Sequence, residues 1–527
     1  MIKFSMKIIG GLLATALLAG SCNKHLDRFP VNDVTAANLY TTEAGYKQVL
    51  GKVYASLALT GNSGPAGSGD VARIDEGTSD FIRLLFCLQE LSTDEAVVAW
   101  NDPGIQDLHN MNWSSSNPIL DGLYSRCFYA ITISNEFIRE SAEDKVASRG
   151  IGNAASIKQM RTEARFIRAF AYWVLMDVYG NPGFVDENTP IGAGIRPVQI
   201  MRPALFTFIE TELKVVEADL PAAKGNEYGR VDKATVWSLL SRIYLNAQVY
   251  TGTAKWTEAI TYSKKVIDAG YALIPDYRHL MLADNNVGNT EAIWTLNYDG
   301  LKSQNWGGTT FLVNASVGGD MDRTVSGLTG WGGLRTTKNL PLLFPDFTGV
   351  ADKRSQFFQQ ALEIDNIADF KNGYAVTKYR NRTKTGGFGN DPSRTWADID
   401  FPVFRLAEQY LNYIEAVLRG GTGGNNATAL AYANLIRTRA YGNTSGNIAA
   451  TNLTLDFVID ERSRELQWEC QRRTDLVRFG RFTDATYLWP FKGGVKNGTG
   501  VESYRRLYPI PAAELGSNPN IKQNPNY

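Results

Sequence analysis

The chain has 527 residues, 44% of them apolar and 20% charged, a composition that supports a sizeable packed core and excludes a disordered polypeptide. Lysine plus arginine and aspartate plus glutamate each number 54. No net field therefore gathers a polyanion by counterion release, and nucleic acid is not an expected partner.

At the N-terminus, Lys3 and Lys7 precede an apolar run from Ile8 to Leu18, followed by Ala19-Gly20-Ser21-Cys22. This reads as an export signal, and the run is too short to span a bilayer. Small residues before a cysteine suit cleavage of a bacterial lipoprotein, with residues 1–21 removed and the Cys22 thiol taking a diacylglyceryl group. Two or more acyl chains anchor a protein stably, so the mature chain 22–527 is expected to sit on a membrane without crossing it. The plainer alternative is a soluble secreted protein with an incidental cysteine.

Apolar periodicity predicts helices over about Ala37 to Leu59, Ile119 to Glu140, Ser156 to Tyr179, Ala204 to Ala218, Lys233 to Val249, Trp256 to Ala269, Phe401 to Arg419, Ala427 to Arg439 and Leu455 to Leu476. In the third, Phe166, Phe170, Trp173 and Val178 line one face, while Arg161, Glu163, Arg165 and Arg168 lie largely on others. Paired helices with short connections suggest stacked helical hairpins. Between about Asp276 and Phe401 the chain turns to glycine, asparagine, threonine and aromatics, with candidate strands at Ala292 to Leu296 and Ala375 to Tyr379. Gly61 to Asp70, with four glycines and a proline, is a surface loop. No long linker divides the chain. We expect one mainly α unit, with a helical scaffold over about 22–275 and 401–480 interleaved with a loop-rich region over about 61–118 and 276–400. Loops on a rigid scaffold are the usual place for a binding site.

Enzyme signatures are scarce. Histidine occurs only at 25, 109 and 279, with no H-E-x-x-H spacing, G-x-S-x-G elbow, P-loop or dinucleotide fingerprint. A glycosidase needs only two carboxylates; Asp75, Glu76, Asp94 and Glu95 are candidates, although acidic pairs more often cap helices or face solvent. Cys87, Cys127 and Cys470 have no C-x-x-C spacing, which leaves open one disulfide plus a free thiol, or three reduced, buried thiols. The runs Glu461-Arg462-x-Arg464-Glu465 and Arg472-Arg473-x-Asp475 read as helix ion pairs and inter-helix staples rather than an anion site.

Tryptophans in polar, glycine-rich surroundings stand out more. Trp100 precedes Asn101-Asp102-Pro103-Gly104, Trp306 precedes Gly307-Gly308, and Trp331 lies in Gly330-Trp331-Gly332-Gly333. A large ring between glycines is poorly placed to fill a core. Flat rings beside amide and guanidinium donors suit a sugar's face and hydroxyls; partial core burial is the alternative.

Several strings carry a resemblance. These are Arg161-Thr-Glu-Ala-Arg-Phe-Ile-Arg-Ala-Phe-Ala-Tyr-Trp173 continuing to Tyr179-Gly-Asn-Pro182, Leu239-Leu-x-Arg242-Ile-Tyr-Leu-Asn246, Phe404-Arg-Leu-Ala-Glu408-x-Tyr-Leu-Asn412, Arg472-Arg-x-Asp475-Leu-x-Arg478-Phe-Gly, and Tyr508-Pro-Ile-Pro511 with Gln523-Asn-Pro-x-Tyr527. In content and order the chain resembles the SusD/RagB family, and most closely its starch-binding member. The resemblance implies a SusD-like fold in which tetratricopeptide-like helical hairpins support a loop-rich ligand-binding region with a few short strands. It also implies a lipid-anchored protein on the outer membrane, facing outward, that binds oligosaccharide, with α-glucan favoured. Such a protein acts as a lid on a SusC-type TonB-dependent transporter and performs no chemical step.

Carried over residue by residue, the resemblance implies a glycan site of Arg83, Trp100, Asn101, Trp306 and Trp331. Trp306 stands where the starch-binding member has a tyrosine before a Gly-Gly pair. Val98 stands where it has a further tryptophan, and the following loop is one residue shorter, so Asn101, with Asp102 as a poorer stand-in, takes the place of its sugar-contacting asparagine. Members can carry structural calcium, but the loop Asp284-Asn285-Asn286 is too poor in carboxylates for a site to be predicted, and no cofactor is expected. The competing readings are a receptor for another glycan or for peptides, and a glycoside hydrolase.

Overall fold

A computed structural model describes residues 39–527, apart from 63, 66 and 193. The predicted signal segment 1–21 and the predicted lipidation site Cys22 lie outside the described residues. No helix among the described residues is long and apolar enough to cross a membrane.

Among the described residues, helices dominate residues 43–267 and 406–478. In the first half run α1 (Glu43–Ala55), α2 (Phe81–Gln89), α3 (Pro118–Glu140), α4 (Ala154–Val178), α5 (Arg202–Asp219), α6 (Lys233–Leu245) and α7 (Trp256–Ile267). After the loop-rich stretch, which holds α8 (Gly308–Ala315), come α9 (Leu406–Leu418), α10 (Asn426–Tyr441), α11 (Leu455–Leu466) and α12 (Arg472–Arg478). Local chemistry sets the starts. The Asn117 side chain accepts from the amides of Ile119 and Leu120 with Pro118 at the first helical position of α3, and Asp232 and Thr235 form a capping box on α6. The mainly helical fold expected from periodicity is the fold observed: α4 packs between α3 and α5, and α6, α7, α9 and α10 stack in series.

The centre of the core is aromatic. Phe166 and Phe170 of α4 meet the edge of Trp294 at 5.4 and 5.1 Å, and Trp294 stacks on Phe404 at 6.0 Å. Trp294 and Phe404 lie on the strands Ala292–Leu296 and Phe401–Arg405, an antiparallel pair with register shifts beside Trp294. The predicted strand at Ala292 to Leu296 is thus found, whereas the one at Ala375 to Tyr379 is reduced to Ala375–Val376, paired with Phe357–Phe358.

Three predicted helices are corrected. Phe401 to Arg405 is strand and α9 begins only at Leu406; Pro402 disfavours the helical region for Phe401, and the segment completes the sheet under α4. The helix predicted over Leu455 to Leu476 breaks between α11 and α12, where Trp468 and Cys470 adopt φ of 61° and 62°. Burial of the Trp468 ring against Phe86 at 5.2 Å, with its indole N–H on the Glu95 carbonyl at 2.9 Å, outweighs local helix preference there. The helix predicted to Val249 ends at Leu245 and restarts at Ala247, because the Asn246 amide turns back to the Arg242 carbonyl at 3.0 Å while its oxygen accepts from Arg478.

The charges that lie off the apolar face of α4 are partly internal. Arg168 and Glu163 are buried, Arg168 bridging α3 and α5 through Asn135 (2.8 Å) and Glu212 (2.9 Å). Of the pairs expected along helices, Arg464–Glu461 forms at i, i+3, whereas Asp475 pairs with Arg478 and Arg472 turns to Asp94, and the staples between elements carry more of the network. Arg405 of the strand Phe401–Arg405, fully buried, donates to Glu291, Glu465 and Glu469 at 2.6–2.8 Å, and Arg439 of α10 reaches Glu291 and Glu465. Burial pushes the Glu465 carboxyl up, yet Arg439, Arg405 and Arg354 together hold it down to about 2. Cys87, Cys127 and Cys470 are free and buried.

Candidate functional site

The loop-rich stretch is tied to α2 and α8, and these ties bring the distant tryptophans together. The Asp80 carboxylate caps α2 by accepting the Arg83 amide at 2.8 Å, and the same oxygen accepts the Gly308 amide at the start of α8 at 2.7 Å. That contact sets Trp306 beside α2. Glycine is needed in this turn, because Gly308 has φ of 53° and a Cβ there would meet the Tyr298 ring at 2.3 Å. At the other end of α8, orphan carbonyls of the last turn are capped by a loop: Asn314 and Ala315 accept from the amides of Trp331 (2.6 Å) and Gly333 (2.8 Å). One helix of eight residues, about 12 Å long, therefore fixes Trp306 before its start and Trp331 past its end.

Trp100 arrives from the other side. The strand Val97–Val98 pairs antiparallel with Leu334–Arg335, Val98 opposite Leu334, and the Ala99 amide continues the ladder to the Gly333 carbonyl at 2.9 Å. A Cβ at Gly333 would sit 2.2 Å from the Trp100 ring, so the glycine is where the indole lies against backbone.

The result is a row of rings. Trp100 and Trp331 have centroids 6.3 Å apart at 45°, and Trp331 and Trp306 are 5.9 Å apart at 55°. All three rings are partly exposed, and neighbouring ring planes are tilted by about half a right angle, so the rings are not coplanar. Arg83 lies behind it: its Nη1 donates to the Trp306 carbonyl at 3.1 Å and its guanidinium stacks on Phe311 of α8 at 4.9 Å. Burial lowers its pKa, and Cys87, Asp75, Asp102 and Asp80 oppose that shift; guanidinium remains charged. Its Nε is buried with no hydrogen-bond partner. Asn101 is exposed at the mouth of the loop, after a Trp100 whose carbonyl accepts from Gln106 at 3.0 Å. All five residues named from the sequence thus lie in or beside one cluster.

Sequence reasoning missed Trp396. It packs on Trp306 with centroids 4.2 Å apart at 50°, and its own exposure is 8%. The filter for glycine-flanked rings passes it over, because it follows Asp391-Pro-Ser-Arg-Thr; its amide is pinned by the Asp391 carboxylate at 3.0 Å. Asp80 was likewise without a sequence signal beyond its place before an apolar helix.

The carboxylates considered for hydrolysis are committed elsewhere. Asp94 is buried against Arg472 at 2.7 Å and Tyr487, and Glu95 accepts from Ser463 and from the Trp468 amide. Asp75 caps Thr78, and Glu76 accepts the Thr60 hydroxyl. In the loop Asp284-Asn285-Asn286, Asp284 accepts the Lys384 amide and the Asn285 amide grips the carbonyls of Leu280 and Asp400. Among the described residues no group of three His, Cys, Asp or Glu side chains is arranged to hold a metal ion.

Comparison with known proteins agrees with this architecture. Residues 361–527 match the model of the SusD family. Over all of its length, and 99% of the relative's, the chain is 32% identical to the starch-binding protein SusD of Bacteroides thetaiotaomicron. It is 23% identical to the SusD-like protein P25 of Formosa agariphila, across 96% of this chain and 95% of that one. Among solved structures, a SusD homolog from B. thetaiotaomicron superposes with a TM-score of 0.73 at 19% identity, covering 94% of this chain and 99% of the homolog. Surface glycan-binding protein A from the same organism, in complex with laminarihexaose, superposes with a TM-score of 0.69 at 19% identity, covering 92% and 100%. The fold, the motifs along the whole chain and the identity to SusD across its full length place this protein in the SusD family.

Proposed function

We propose that the protein is a lipid-anchored binding protein, tethered through Cys22 to the outer face of the outer membrane. It captures starch-like α-glucan on the row Trp100, Trp331 and Trp306 and passes it to a SusC-type TonB-dependent transporter without chemical change. One observation carries the reading: three partly exposed indoles, neighbours spaced 6.3 and 5.9 Å with planes tilted by 45° and 55°, form a non-coplanar platform beside the Arg83 guanidinium and the exposed Asn101 amide. Sugar faces stack on such rings while hydroxyls meet the polar groups. A helical glucan presents its units around an arc, whereas a flat chain would need nearly coplanar rings. The full-length identity to a starch-binding protein favours the same ligand. Another glucan is the second reading, favoured by the laminarihexaose complex of a protein of the same fold.

Calorimetric titration of the purified protein with maltoheptaose, laminarihexaose and a cellulose oligomer tests both. The α-glucan reading expects maltoheptaose to bind best and its affinity to fall about fivefold in each of Trp306→Ala and Trp331→Ala. Preference for laminarihexaose moves the assignment to the second reading, and equal binding of maltoheptaose and the cellulose oligomer removes the argument from the tilt of the rings.

A further inference from the structure

Beside the row of rings, a groove of about 340 Å³ runs between α1 and the segments around Tyr228 and Ser303. Small residues of α1 open one wall. Gly51 is exposed, lies inside a helix where glycine is a poor former, and has nothing within 4 Å of where its Cβ would be. No neighbouring side chain requires that gap, and the groove occupies it. Ala55 extends the same wall, and Tyr228, Asn297 and Ser303 form the other.

The chemistry of the second wall repeats that of the row. Tyr228 is 50% exposed, yet its hydroxyl donates to Asp400 at 2.9 Å, so the ring is a fixed, open platform. Asn297 is exposed, its oxygen accepts from the Thr295 hydroxyl at 2.6 Å, and its amide nitrogen lies against Gly229, another lining residue. The groove also lies near one end of the row. Ser303 precedes Trp306 by three residues, so their Cα atoms are at most ~11 Å apart. Between them, the Asn305 amide is bonded to the carbonyl of Ala58, itself a wall residue.

We propose that this groove is a second glycan subsite, which takes the units of a long glucan that extend past Trp306 and stacks one of them on Tyr228. The proposal rests on the glycan reading of the tryptophan row and adds a dependence on chain length. A trisaccharide is satisfied by the row alone. A longer chain gains the Tyr228 face and the Asn297 amide without a second loss of translational freedom, because the added units are already tethered.

The test is calorimetric titration of the full chain with maltotriose and with maltodecaose, for wild type, Tyr228→Ala, Gly51→Trp and Trp306→Ala. Gly51→Trp fills the groove while replacing glycine by a better helix former, so it keeps the fold even if Tyr228→Ala disturbs it. The expected result is unchanged maltotriose affinity in both groove variants and maltodecaose affinity about fivefold weaker, the worth of one aromatic contact, with Trp306→Ala weakening both ligands. Undiminished maltodecaose binding by both groove variants, with Trp306→Ala still defective, overturns the groove alone. Failure of wild type to bind either oligosaccharide overturns the α-glucan reading and the groove with it.

Discussion

Trp396 touches the row only through Trp306, which makes it a positioning residue whose effect on binding can be separated from its effect on folding. Truncation to alanine removes an indole that is 8% exposed and lies 4.2 Å from the Trp306 ring. Buried tryptophan-to-alanine changes cost about 3–5 kcal/mol. The site borders solvent and can admit water, so the lower end, about 3 kcal/mol, is expected in urea unfolding. Binding should suffer less: Trp306 loses the surface that fixes its tilt, and the most that can be lost is its own stacking contribution, about 1 kcal/mol or fivefold in affinity. Trp396→Phe keeps a ring against Trp306 and should recover most of the affinity while recovering only part of the stability. The assay is maltoheptaose titration in parallel with urea unfolding of wild type and both variants. An affinity equal to wild type in a well-folded Trp396→Ala protein would refute the reasoning, because Trp306 would then hold its pose unaided.

Gly333→Ala places a methyl group 2.2 Å from the undisplaced Trp100 ring, so the indole must move off the backbone; maltoheptaose affinity is expected to fall about fivefold, read by titration and by a shift in tryptophan fluorescence. Burial pushes the Asp80 carboxyl up to about 6, against the amides of Arg83 and Gly308 that favour its charge. Protonation as pH drops from 7 to 5 weakens its hold on the Gly308 turn and lowers glycan affinity, whereas Asp80→Asn should show a flat profile. The stability signs of two buried acids are opposite. Asp80 is raised from 3.8 to about 6, so its contribution is fullest below about 3.8 and is lost as pH rises through about 6. Glu465 is lowered from 4.5 to about 2, so its contribution is present above about 4.5 and is lost as pH falls toward 2. Urea midpoints across pH 2–8 should therefore decline steeply below about 4.5, and Glu465→Gln should flatten that decline while costing about 3 kcal/mol at neutral pH by removing one of the buried carboxylates that Arg405 and Arg439 share.

The helices were legible because their apolar stripes recur at helical period over long stretches, and α3 and α4 need little else. What the sequence did not disclose was decided by partners far along the chain. Phe401 to Arg405 reads as the front of an amphipathic helix until Trp294 supplies a strand to pair with. The turn at Trp468 is paid for by burial against Phe86, nearly four hundred residues earlier in the chain. The site was legible in part for a different reason. Rings flanked by glycine are anomalous in composition, so Trp306 and Trp331 announced themselves. Trp396 is flanked by ordinary loop residues, and only its contact with Trp306 reveals it. Tyr228 is hidden in the same way, since a tyrosine in a polar turn has no distinguishing neighbour in sequence.

The rings stand on loops, and loose loops would have to be ordered at each binding event, at about 0.5–1.5 kcal/mol for every side chain immobilised. For contacts worth about 1 kcal/mol apiece, that cost would erase the affinity. Two buried charges remove it by gripping backbone instead of pairing with opposite charge. Asp80 holds the amides of Arg83 and Gly308 and so fixes the Trp306 turn. Arg335, fully buried and pushed down to about 10 chiefly by that burial, donates to the carbonyls of Gly333, Ile367, Asp369 and Asn372, locking the Trp331 loop to the segment beyond it. A buried charge satisfied only by peptide groups is a poor source of net stability. Its return is geometric: three rings held at fixed spacing before ligand arrives, so that weak stacking is retained as binding rather than consumed in ordering the site.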